Sequence, residues 1–280
     1  MARNIGKERD ITKALNAADE WKHRCLVGDG SVFSDELLWT SDNFAQLKVA
    51  FVDNPDEGKR SFYEKLEDQL AGYSPQVIKV AAEAIWVLLL FHSGIGAETK
   101  RRNFLRVWDW SDAAPPIEDR ALEDAALIGV GNPGTAYTTQ MWREFEFFIA
   151  LIISFKQLGP EKRQEKLADP WVFEEWQSSV SGYASRQFVH MLNFWCFPDS
   201  FERITTASHK RLIAKVYGSF SEPEVEALSL VQLDQMLLEI RQRLETERQI
   251  EDFDFYMPDI RSEWAPEPTQ KSTKKNTTIL

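Results

Sequence analysis

Cysteine, histidine and positive charge are scarce in this 280-residue chain, with two cysteines, four histidines, and 33 Lys and Arg against 44 Asp and Glu. Cys25 and Cys196 have no C-x-x-C spacing, so neither a disulfide framework nor a zinc site is indicated, and a cytosolic, reducing compartment fits. His23, His92, His190 and His209 lack the spacing of an H-E-x-x-H helix and read as core-edge or surface histidines. No G-x-S-x-G elbow occurs, and His190 and Cys196 fall on different sides of one helix, so no Cys/His nucleophile is assembled there. The formal charge of -11 opposes unspecific attraction to nucleic-acid phosphates, leaving only a local patch for such contacts. The most apolar runs, 80–91 and 145–155, carry Glu83 and Glu146 and are well short of the roughly 20 residues of a membrane span. They are expected as buried helices, with no membrane contact. The N-terminus lacks the apolar central run of a signal peptide.

Alternating strand patterns are also nearly absent, and the periodicity that is present is helical. Apolar residues recur at three- and four-residue spacing through 8–23, 35–52, 59–71, 99–110, 137–158, 170–180, 184–196, 200–217 and 227–250. A further helix opens at Ser74, before Pro75 at the first helical position, and carries Val77, Val80, Ala81, Ala84, Ile85, Leu88 and Leu89 on one face. It is expected to be central. With 43% hydrophobic residues available for a core, the fold class is all-α, a multi-helix globular bundle. Two helical subdomains are expected, over 1–110 and 137–265, joined by a Pro/Gly-containing connection over 111–136 and followed by a disordered tail over 266–280.

The stretch "IGVGNPGTAY" spells G-x-G-x-x-G at Gly129, Gly131 and Gly134. A dinucleotide loop needs a buried strand before the first glycine. Here "EDRALEDAAL" precedes it and reads as an Ala- and Leu-rich helix, so a helix C-cap and turn is the expectation. No G-x-x-x-x-G-K-[ST] is present, and no cofactor is expected in this chain. Glu98-x-Lys100 resembles half of a metal-dependent nuclease site, but the metal-binding acid that such a site also needs on adjoining strands is missing, and the stretch is expected as a solvated loop.

The local exception to the acidic charge is 185–220, where Arg186, Arg203, His209, Lys210, Arg211 and Lys215 are the candidate nucleic-acid or partner contacts. The competing account makes Lys210, Arg211 and Lys215 the solvated face of an amphipathic helix whose apolar side is Leu212, Ile213, Val216 and Tyr217.

The same stretch, "RQFVHMLNFWCFPDSFERITTASHKRLI", resembles the helical N-terminal regions of McrB-like AAA-family ATPases of prokaryotic restriction and phage-defence systems. The shared features are the Phe197-Pro198-Asp199 turn, then Phe201-Glu202-Arg203-Ile204, then Ser208-His209-Lys210 opening a helix. "WKHRCLVGDGSVFS", "SFYEKLEDQL", "GVGNPGTAY", "ADPWVFEEW" and "DFDFYMPDIRSEW" extend the likeness over about 250 residues. Elementary chemistry gives these residues structural roles: Pro198 stops a helix, Asp199 or Ser200 caps the next, and Phe201 and Ile204 bury. The resemblance implies a region that precedes a ring-forming motor working with a separate McrC-like nuclease. The chain enters a polar tail after the approach to such a motor, so ATPase activity is not assigned to it. It is expected either as part of a longer product or as a solitary relative. The function expected is a non-catalytic recognition or regulatory module of such a system. Its partners would be an AAA motor and a McrC-like nuclease. The alternatives are a DNA-binding module using the patch around 186–215 and a small-molecule enzyme with an unrecognised helical site.

Overall fold

The computed structural model describes residues 10–265; the tail expected at 266–280 and the first residues of the helix expected at 8–23 lie outside the described residues. Among these there are fourteen α-helices and no strand, so the all-α bundle expected from periodicity is observed. The nearest approach to a sheet is a single parallel bridge between His92 and Gly131. No helix among the described residues is long and apolar enough to cross a membrane.

Helix α4 (Pro75–Leu90) starts as the sequence directs, with Ser74 Oγ accepting from the Val77 amide at 3.4 Å and Pro75 in the first turn. Every residue from Val77 to Leu90 is buried, so α4 is enclosed on all sides. Around it pack α2 (Ser41–Leu47), α5 (Ala97–Asp109) and α7 (Met141–Lys156). Elsewhere α1 (Thr12–Trp21) rests on α10 (Phe188–Cys196). One continuous apolar cluster runs from Ile11 to Trp264, so the described residues of the two expected subdomains share a core. Each large aliphatic side chain within it contributes on the order of 2 kcal/mol over remaining exposed.

Two charges inside this core are fully provided with partners. Glu83 receives the Trp39 indole N–H at 2.6 Å, the Val32 amide at 3.5 Å, the Cys25 thiol at 3.7 Å and the Ser31 hydroxyl. Burial still pushes its carboxyl up to about 7. Lys156 Nζ donates to the carbonyls of Cys25 at 2.6 Å, Leu26 at 3.2 Å and Gly28, and to Asp29 at 2.9 Å; burial pulls it down to about 8. It thereby closes the carbonyl end of the π-helical turn Lys22–Val27 that continues α1.

The helices differ from the periodic segments in particular places. α2 begins at Ser41 rather than residue 35, because the Trp39 amide bonds back to the Asp29 and Gly30 carbonyls and Thr40 supplies the cap. The segment 137–158 divides at Gln140 into α6 (Thr135–Thr139) and α7. "EDRALEDAAL" is not a helix: it holds one 3-10 turn, Arg120–Leu122, capped by Asp119, while Ala121, Leu122, Ala126 and Leu127 bury one by one. Lys100 sits in α5, not in a solvated loop, and its buried ammonium donates to Leu90 O at 3.1 Å.

The glycine stretch therefore has no helix to terminate. Instead it caps α4 from another part of the chain, with the amides of Val130 and Gly131 donating to Phe91 O at 2.9 and 3.1 Å. Gly129 has φ +73, and a Cβ there would lie 2.6 Å from the His92 carbonyl group. Its conformation brings backbone against backbone, with no strand–loop–helix cradle for a pyrophosphate.

Candidate functional site

Phe197 leaves α10 with φ -143 and ψ 68, outside the helical region, before Pro198, which ends the helix. The next helix, α11 (Ala207–Tyr217), is capped by Thr206, whose hydroxyl accepts from the His209 amide at 3.4 Å. The expected cap at Asp199 or Ser200 is not used, because 200–206 forms a turn that buries Phe201 and Ile204. Between those two anchors stand Glu202 and Arg203, and each leaves the turn in its own direction.

Both carboxylate oxygens of Glu202 accept from one edge of the Arg241 guanidinium, Nε and Nη2, from α13 (Leu230–Arg248). The same guanidinium donates to Phe253 O, reaches Glu245 at 3.2 Å, and lies 5.5 Å from the Phe253 ring. Burial opposes its charge, yet Glu202 and Glu245 raise Arg241 above the usual guanidinium range. Arg203 pairs with Asp254, donates to Val130 O at 2.7 Å, and lies 5.8 Å from the Tyr256 ring. His209 Nδ1 meets Tyr256 OH at 2.9 Å, and its ring stands edge-on to Trp264 at 5.2 Å. The Trp264 indole donates to Phe255 O at 2.8 Å, and Arg248 holds Glu263 at 2.7 and 2.8 Å. Burial, with a smaller effect of Arg261, lowers His209 below its ordinary value, so its ring is neutral against Tyr256 at pH 7.

Of the stretches quoted for the family likeness, 197–210 and 253–264 thus come together. Turn 197–206, α11 and α13 together clamp the segment from Phe253 through α14 (Pro258–Trp264) onto the helical body. No protein-family model, curated protein or solved structure matches the chain.

The six candidate contacts do not form one surface. Arg203 and His209 belong to the clamp. Lys210, one residue on, points the other way into the core, where its ammonium lies 2.6 Å from Asp234 Oδ2 and 2.9 Å from His190 Nδ1. Arg211 faces Glu226 at 3.2 Å, and Lys215 faces Glu222 at 2.7 Å and Glu226 at 2.8 Å. Arg186 is half-buried and acts at longer range on Glu144 and Glu146. The amphipathic-helix account is corrected at Lys210, which is as buried as Ile213, and at Val216, which is exposed.

Behind the clamp lies a second buried polar group. Glu174 of α9 (Pro170–Ser178) accepts from Tyr183 OH at 2.9 Å and Asn193 Nδ2 at 3.0 Å through one oxygen, while its other oxygen has no donor. Burial, reinforced by the nearby Asp234, raises its carboxyl far above the carboxylate range, so it is a neutral acid at pH 7. Burial beside Lys210 likewise keeps His190 neutral. The Lys210–Asp234 pair, the Glu202–Arg241 pair and Glu174 were all missed from sequence. A signal existed for the α13 members: Leu230, Leu233, Asp234, Leu237, Ile240, Arg241 and Leu244 share one face, so Asp234 and Arg241 occupy core positions. Among the described residues no three His, Cys, Asp or Glu side chains converge as metal ligands.

Proposed function

We propose that the protein is a recognition or regulatory module that acts through protein contacts, of the kind that precedes the motor in McrB-like AAA-family ATPases of restriction and phage-defence systems. The observation that carries this reading is the clamp. The turn and helix start that resemble the family, 197–210, contribute Glu202, Arg203 and His209 to hold the segment 253–264, the stretch that in such proteins approaches the motor. Rigid attachment of that segment to the body is what a module needs in order to pass a binding event to a neighbouring machine. Its partners would be an AAA motor and a McrC-like nuclease.

The test is genetic and biochemical together. The gene is expressed with its chromosomal neighbours in a restriction-deficient host, which is challenged with phages carrying modified and unmodified DNA. Deleting the gene, or introducing Arg203→Ala, is expected to raise plating efficiency to the level seen when a neighbouring Walker lysine is replaced. Equal plating with and without the gene overturns the reading.

A further inference from the structure

A cleft of about 490 Å³ opens between the loop after the π-helical turn Lys48–Val52, the start of α3 (Phe62–Leu70) and α7. Its size suits a small ligand or a single side chain. Its cations are already engaged: Arg60 pairs with Asp56 at 2.7 Å and with Asp68, and Lys65 donates to Asp56 O at 2.8 Å. Two acceptors of the lining retain unfilled capacity. Glu146 has a half-buried carboxylate that Arg143 and Arg186 influence only at longer range, neither closing on it. Gln69, 8% exposed in the inner wall, uses its amide N–H on Phe51 O and Asn54 O, while its Oε1, closed to solvent, has no donor. Trp142 leaves 47% of its surface in solvent at the rim and stands four residues before Glu146, on the same face of α7.

From this inventory of acceptors beside an aromatic face we infer that the cleft binds a guanidinium group, stacked on Trp142 and bonded through two N–H groups to Glu146. Guanidinium is planar, carries only donors, and combines stacking with bidentate pairing to a carboxylate. The Arg143 guanidinium already lies 5.9 Å from the Trp142 ring, which illustrates the attraction of that face. An anionic ligand would be repelled by Glu146, and a ligand without N–H donors would leave that carboxylate unpaired, whereas a neutral amide would lack the charge to complement it. The site shares no residue with the clamp and does not rest on the function proposed above.

Calorimetric titration of the full 280-residue chain tests it with three probes: n-butylguanidinium, its neutral shape-mate n-butylurea, and a blocked Gly-Arg-Gly peptide. Saturable binding of both guanidinium probes and none of the urea is expected. Glu146→Gln and Trp142→Ala should each weaken it about tenfold or more. Both side chains reach solvent, and an unchanged circular dichroism melt verifies that the variants fold. Tighter binding of the peptide assigns the site to an arginine of a partner protein, and tighter binding of butylguanidinium assigns it to a free small molecule. Equal binding of urea and guanidinium, no binding of either guanidinium probe, or full affinity in Glu146→Gln overturns the inference.

Discussion

Arg241 and Glu202 meet edge to edge with both side chains almost fully buried, joining the longest helix to the turn after α10 and, through Phe253 O, to the C-terminal segment. Removing one partner leaves a buried charge without its counterpart, at a cost of about 3–5 kcal/mol. Arg241→Ala and Glu202→Ala should each lower stability by that amount in urea denaturation. The double variant should fall well short of the sum. Additive losses would show that the two side chains act separately.

Glu174, a neutral acid at pH 7, adjoins Asp234, which pairs with the buried Lys210. Because Glu174 is a neutral acid, Glu174→Gln is expected to change stability at pH 7 by less than about 1 kcal/mol. Asp234→Asn strands the buried Lys210 ammonium and should cost about 3–5 kcal/mol. The reverse ranking in denaturation midpoints would contradict this assignment.

Glu83 supplies a pH dependence whose sign is set by its raised carboxyl. Below about 4.5 it is protonated in both states; between 4.5 and about 7 the unfolded chain loses the proton that the folded chain retains. Stability therefore falls as pH rises through this window, by on the order of 3 kcal/mol from Glu83 alone. Glu83→Gln should be less stable at every pH, since its amide NH2 faces a donor, yet show a shallower decline between pH 4.5 and 7. An identical slope in the variant would sink this account.

Gly129 combines a positive φ with backbone contact at His92. Gly129→Ala should destabilise by about 2 kcal/mol or more. Millimolar ATP or NAD should leave the melting temperature of the native chain unchanged, whereas a clear rise would restore the phosphate-loop reading.

Arg211 and Lys215 are neutralised in place by Glu226 and Glu222. Replacing both cations with Glu should leave any duplex-DNA affinity within twofold at every salt concentration. A steep salt-dependent affinity in the native chain that vanishes in this variant would favour the DNA-binding alternative.

Fold class and the central helix were legible because both depend on local chemistry. Three-and-four periodicity, Ser74 and Pro75 act within a few residues of one another, and α4 forms where they indicate. The same reasoning failed at "EDRALEDAAL", whose alanines and leucines have high helix propensity but bury individually against neighbours, and at Asp199, where the turn that buries Phe201 and Ile204 delays the helix until the cap at Thr206. Propensity is a fraction of a kcal/mol per residue, and tertiary burial exceeds it.

Of the six basic residues singled out, sequence placed all in one patch because they are close along the chain. By itself it determined that the protein is a helical, acidic body and where most helices run. Only the tertiary structure decided the partner of each charge: Lys210 inward to Asp234, Arg203 and His209 to the 253–264 segment, Arg211 and Lys215 to Glu226. The reason is range. Periodicity and capping act over one or two helical turns, whereas an ion pair is chosen by whichever distant segment the packed core brings within a few ångströms.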